Sequence, residues 1–290
     1  IFEDLQKLTE DISTQSESRL FGCFYLVRFF GDAFQDLDKS QYIYKERAMT
    51  RLADVSSRLV EQYKGKFGEC KTLSGSASTD DLDPKIPYIM TISVQPYFTP
   101  EELASNERKT SFEKIFNIKK FIYETPMTTT GAKYSDDITE QAKKKTILET
   151  EVPFPFVIKR QRVVSQSSEI FSPIQTSTEI MEDRYRATKR EIETIPPNPK
   201  TLQIVLKGSV VLEVNAGPLA IAKTFLGENR SKYDPKDITR LEEAMKLFIS
   251  ACKEALQLNK TIISADQKQF QELMEEGFAN LSSEFDKLLN

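Results

Sequence analysis

The chain has 290 residues, 40 basic against 44 acidic side chains for a formal charge of −4, and 19 Phe with 10 Tyr but no His. That is enough apolar material for packed cores, at a length that suits two modest domains better than one. The charge balance argues against a nucleic-acid partner, and the lack of His excludes Ser-His-Asp and Cys-His catalysis and any metal site built on imidazole.

In chain order, LFGCFYLVRFF at 20–30 and QYIYK at 41–45 read as paired strands, bounded by Gly31. Leu52, Val55, Leu59 and Tyr63 fall three or four apart, which predicts a short helix. LSGSASTDDLDP at 73–84 is a loop, and in IPYIMTISV the alternation puts Ile86, Tyr88, Met90, Ile92 and Val94 on one strand face. Further strands are expected at 116–125, 144–151 and 154–166, with a loop at 128–137. The first lobe, residues 1–170, is therefore expected to be rich in antiparallel strands.

The period then changes. Pro173 opens a helix whose stripe is Ile174, Ile180, Met181, Tyr185, Thr188, Ile192 and Ile195, and Pro196-Pro197 ends it. After Pro235 a second stripe runs from Ile238 through Phe248 and Cys252 to Asn259, and Ser264 with Gln267 suggests a capping box for a last helix carrying Phe270, Leu273, Met274, Phe278, Leu281, Phe285 and Leu288. With helical material at 199–227, residues 171–290 are expected to form an antiparallel four-helix bundle. The fold class is thus α+β.

The third element of that bundle breaks its own pattern. Leu202, Val205 and Leu206 begin a stripe, and Leu219, Ala222, Phe225 and Leu226 continue one, but GSVVLEVNAGP lies between them. Proline inside a helix costs about 3 kcal/mol, so Pro218 is comfortable only as the first residue of a restarted helix. Two readings stay open on the residues alone. The interruption is either a plain turn between ordinary helices, or a loop with Val214, Asn215 and Ala216 held out to enter a partner.

Cys23, Cys70 and Cys252 show no metal or disulfide spacing, which suits a reducing, cytoplasmic setting. There is no phosphate-binding glycine loop, and no window approaches the length of a membrane span, so neither a bound cofactor nor direct membrane insertion is expected. The opening IFEDLQKLTED lacks the character of a secretion signal and reads as the inside of a helix, so a piece of a longer protein is expected.

GSVVLEVNAGPLAIAKTFL resembles the signature of the catalytic second homology region of the DOCK family. FNIKKFIYETPMTTTGAK and TEQAKKKTILETEVPFPFVIKRQRVVSQ resemble its sheet lobe, and SPIQTSTEIMEDR and TIISADQKQFQEL its bundle helices. The wording is closer to the zizimin-like and DOCK-seven-like branches than to the founding members of the family. The resemblance implies a guanine-nucleotide exchange factor for a Rho-class small GTPase, Rac-type or Cdc-type, acting without covalent chemistry. It implies that Val214 senses the nucleotide, that Asn215, Ala216 and Gly217 set the loop, with Gly217 supplying backbone freedom, and that Pro218, Leu219 and Lys223 contact the GTPase. The partner is a nucleotide-free or GDP-bound GTPase. Without the family's first lobe this chain is expected to be monomeric, the full-length protein a dimer recruited to membranes by other regions. A GTPase-binding scaffold without exchange activity is the alternative, discriminated by the loop at Val214.

Overall fold

Strand β1 (Cys23–Phe30) is buried on both of its faces, and this organises the sheet-bearing part of the molecule. The computed structural model describes residue 5 and residues 22–75, 77–99, 101–102, 115–132, 135–211, 217–264 and 267–289. By its internal contacts the chain divides into two units. One holds the described residues up to Thr125 with Lys145–Glu169, the other Pro126–Lys144 with those from Ile170 onward.

The sheet has seven strands: β1, β2 (Gln41–Glu46), β3 (Lys71–Leu73), β4 (Tyr88–Pro96), β5 (Ile118–Thr128), β6 (Gln141–Phe154) and β7 (Arg160–Phe171). They run in the order β1-β2-β7-β6-β5-β4-β3, and β1 also pairs with β4, so the sheet closes on itself like a barrel. Leu26 of β1 faces Ile43 of β2 on one side and Ile92 of β4 on the other, both antiparallel. β3 lies parallel to the start of β4, whose end pairs with β5.

Phe24 and Leu26 join Ile43, Val94, Ile118, Phe121, Leu148 and Phe154 in one core. Tyr25, Val27 and Phe29 point the other way, onto Val55, Leu59 and Tyr63 of helix α1 (Leu52–Phe67). The unbroken apolar run of β1 follows from this double burial. β4 is shared in the same way: Ile92 and Val94, on the expected face, meet one core, while Ile89 on the opposite face enters the α1 core as well. Leu52, expected on the α1 stripe, is 41% exposed at the first residue of its helix. The expected strand at 154–166 is also corrected: Phe154 ends β6, β7 starts at Arg160, and Val157 between them is 94% exposed. Pro155 has no N–H to give to a ladder, so pairing stops there.

The second unit is helical: α2 (Pro173–Glu193), α3 (Pro199–Leu206), α4 (Pro218–Leu226), α5 (Pro235–Ile262) and α6 (Lys268–Leu289). Four of these start on proline, where the missing N–H is one the first turn leaves unbonded anyway. Ser172 and Gln175 form a capping box on α2, while Asn198 and Asp234 cap α3 and α5 through the amides of Lys200 and Lys236. The box expected at Ser264 spans residues outside the described set; Gln267 N donates to the Ser264 carbonyl at 3.1 Å.

Met181, Leu202, Leu206, Ile221, Phe225, Leu241, Met245, Phe248, Cys252, Met274 and Phe285 share one core with Ile138, each large side chain stabilising by about 1.5–3 kcal/mol. Two expected stripe residues are exposed instead. Ile195 is 92% exposed, because α2 stops at Glu193 and a residue before proline is driven out of helical geometry. Leu273 is 48% exposed, since its neighbour Met274 takes the inward position. Inside the core, Asn259 Nδ2 donates to Gln271 Oε1 at 2.6 Å, tying α5 to α6.

Candidate functional site

The break expected in the third helix falls in the second helical element after residue 171, between α2 and α5, and begins where α3 loses its register. After Leu206 the ladder widens into a π turn over Lys207–Val211. The local sequence explains this, because Gly208 weakens a helix through backbone entropy while the β-branched Val210 crowds it at Cβ. Such one-residue expansions recur at functional sites. Ser209 is buried at 6% exposure, and Lys207 Nζ lies 5.9 Å from the ring centroid of Phe270 on α6.

The turn is held from α2. Arg184 Nη1 donates to the Gly208 carbonyl at 3.1 Å. Burial holds this guanidinium below the usual arginine range. Burial in turn pushes the fully buried Cys252 thiol up to about 12, so it stays protonated.

Val214, Asn215 and Ala216 lie outside the described residues. The chain is described again at Gly217, which is buried with φ −72° and ψ 162°. Any residue adopts this φ, so the conformational freedom expected of Gly217 is not used; the position before a proline favours extended backbone in any case. Its carbonyl accepts the first helical hydrogen bond of α4, from Ile221 N at 3.0 Å. Pro218 is the first residue of α4, as its chemistry predicted.

The remaining expected contact residues follow within two turns. Pro218 is buried, Leu219 is half-buried and packs partly against the helical core, and Lys223 is exposed. Lys223 Nζ lies 3.2 Å from Glu284 Oε2 on α6, and that carboxylate also accepts from Lys287 Nζ at 2.7 Å. Both lysines hold Glu284 below the usual carboxylate range. The structure thus gathers Gly217, Pro218 and Leu219 at the start of α4, with Lys223 one turn further on.

Arg184 is the site residue that sequence reasoning missed. A signal for it existed: it falls three residues after the buried Met181 and four before the buried Thr188, a charge on the inward stripe of α2. Among the described residues, no group of three or more Cys, Asp and Glu could hold a metal ion.

The comparisons with known proteins bear on this geometry. Residues 187–288 match the family model "DHR-2, Lobe C", and residues 74–153 match "DHR-2, Lobe B". The chain is 36% identical over 303 residues to dedicator of cytokinesis protein 11 of Danio rerio, covering 100% of this chain and 14% of that protein. It is 37% identical over 295 residues to dedicator of cytokinesis protein 7 of Homo sapiens, and 35% identical over 304 residues to human dedicator of cytokinesis protein 9. Those alignments take in 99% and 98% of this chain, and 14% of each relative. The sheet and the interrupted helical unit are therefore those of a DHR-2 region. The chain belongs to the dedicator-of-cytokinesis, or DOCK, family.

Proposed function

We propose that this chain catalyses nucleotide exchange on a Rho-class small GTPase of Rac or Cdc type, with Val214 as the residue that meets the nucleotide site. The observation that carries the reading is the break itself: in a DHR-2 region, α3 widens at Lys207–Val211 and helix restarts only at Pro218. We read α3 and α4 as two halves of one helix in an antiparallel four-helix bundle, residues 171–290, following a strand-rich GTPase-binding lobe, residues 1–170.

The physical argument starts from the tightness of the substrate. A GTPase that holds GDP at picomolar affinity has roughly 16 kcal/mol of binding free energy, so unassisted release is slow. A catalyst of release must bind best to the nucleotide-free form. The GTPase's magnesium keeps waters in a near-octahedral shell and offsets phosphate charge. An apolar side chain entering that space displaces the hydrated ion without offering an oxygen ligand. The phosphates then lose their counter-charge and GDP leaves. No covalent step is involved, and linkage makes the effect reciprocal, so incoming nucleotide weakens the factor in turn.

In this reading Asn215, Ala216 and Gly217 hold the loop, while Pro218, Leu219 and Lys223 contact the GTPase. Lys223 is available for that role because an exposed ion pair such as the one with Glu284 is screened by solvent and holds the side chain weakly. The reaction is placed in the cytoplasm, with a one-to-one complex between this chain and a nucleotide-free GTPase. The test is a panel of purified Rho-class GTPases loaded with fluorescent GDP and mixed with this chain. Faster release from at least one supports the proposal, and acceleration of none refutes it.

A further inference from the structure

We infer that Arg184 is a positioning residue, fixing the widened turn Lys207–Val211 through its backbone. The kinetic part of this inference rests on the exchange reading above; the structural part does not.

Arg184 reaches from α2 to a carbonyl 24 residues further along the chain. Among the described residues it has no carboxylate partner. By contrast, Arg58 meets Glu46 at 2.5 Å, Arg230 meets Glu242 at 2.6 Å and Arg240 meets Glu182 at 2.9 Å. A half-buried guanidinium without an acid is disfavoured by desolvation, and here its hydrogen-bond partner is a single backbone oxygen. The cost is tolerated for that oxygen.

The oxygen in question has a reason to need a donor. In an i→i+5 turn one extra residue enters the ladder, so carbonyls lose the alignment that α geometry gives them. At the C-terminal end of α3 those carbonyls also carry the negative end of the helix dipole, which favours a cation. Arginine suits the place because its planar fork presents fixed donors, whereas a lysine ammonium is a point charge on a flexible stem. Cys252 completes the setting as a neutral neighbour, since its buried thiol does not ionise.

Gly208 itself does not dictate the turn by lack of room: a Cβ there would meet nothing within 4 Å, and its φ is not in the left-handed range. Its contribution is low helix propensity, which lets an outside hydrogen bond choose the local geometry.

The experiment compares the wild-type chain with Arg184→Met and Arg184→Lys by two independent readouts. The first is amide hydrogen exchange in the chain alone. Arg184→Met should speed exchange across residues 207–211 about tenfold while leaving the α5 core around Phe248 protected. The second is GDP release from a responsive GTPase, with affinity for its nucleotide-free form measured alongside. Arg184→Met should lower the maximal release rate in magnesium about tenfold, as loss of one charge-assisted hydrogen bond implies, with affinity changed less than about twofold. The deficit should close when EDTA removes magnesium first. Arg184→Lys should fall between the two proteins, and it carries the same readouts if Arg184→Met fails to fold. Unchanged exchange at 207–211 overturns the inference, and so does a rate loss matched by an equal loss of affinity. Should the wild-type chain accelerate no GTPase while the variant still frees the turn, the exchange reading fails and the assignment of Arg184 to the turn stands.

Discussion

The Asn259–Gln271 pair is a buried polar joint between α5 and α6, and its two halves should not be worth the same. Asn259 is 0% and Gln271 3% exposed. Asn259 Nδ2 donates to Gln271 Oε1 at 2.6 Å, and Gln271 Nε2 donates to the Leu256 carbonyl at 3.1 Å and to Glu275 Oε1 at 2.8 Å. Asn259 Oδ1 has no partner among the described residues. Asn259→Leu orphans one acceptor but also removes that unpaired oxygen, so its net cost should be about 1 kcal/mol. Gln271→Met leaves the whole Asn259 amide buried without a partner, a loss of about 3 kcal/mol. The double variant replaces the joint by apolar contact and should cost about 1 kcal/mol, less than Gln271→Met alone. The assay is urea unfolding followed by far-ultraviolet circular dichroism, read on the helical transition for all four proteins. A coupling of about 2–3 kcal/mol is expected. Costs that add to within about 0.5 kcal/mol would refute the reasoning.

Three further outcomes are expected. Val214→Ala should keep binding to nucleotide-free GTPase and slow GDP release about tenfold in magnesium, because about 0.8 kcal/mol is lost for each of two methyl-sized groups; equal rates would remove Val214 as the sensor. Glu275 is held below its ordinary value by the Gln271 hydrogen bond first and by Lys260 second, so its contribution to stability is present above pH 4.5 and fades as pH falls through the lower folded value; carboxyl titration by NMR should show it moving up in Gln271→Met, and no movement would contradict the assignment. Burial raises the Cys70 thiol and pushes Cys252 up to about 12, so a thiol reagent should modify half-exposed Cys23 in the native chain and the other two only after unfolding; three fast thiols would refute this.

Much of the fold was legible because its punctuation is chemical. Pro173, Pro199, Pro218 and Pro235 mark four helix starts, and the period-of-four stripes mark what those helices bury. The class, α+β with antiparallel strands, followed from that change of period at about residue 171. Closure of the sheet was not legible, since β1 meeting β4 is a long-range pairing that leaves no local trace beyond an apolar run. The alternation from Ile86 to Val94 showed one face of β4 but not that the opposite face is buried too, through Ile89, in a strand between two cores. At the candidate site, Pro218 was readable as a restart from its missing donor alone. The π turn was not, because glycine and β-branched residues disfavour a helix without saying what replaces it. Arg184 escaped because its partner is a backbone carbonyl, which every residue has and no sequence pattern marks.

The prolines that open α2 through α5 also bear on how this region tolerates change in length. A helix whose first residue cannot extend backward has a fixed phase, so residues added to the connection before it leave the inward stripe where it was. The connections ahead of Asn198 and Asp234 can therefore grow or shrink without turning Leu202 or Leu241 away from the core. Peptide tags for imaging or pull-down belong at those two connections, and not inside a stripe where one inserted residue rotates every following side chain by about 100°.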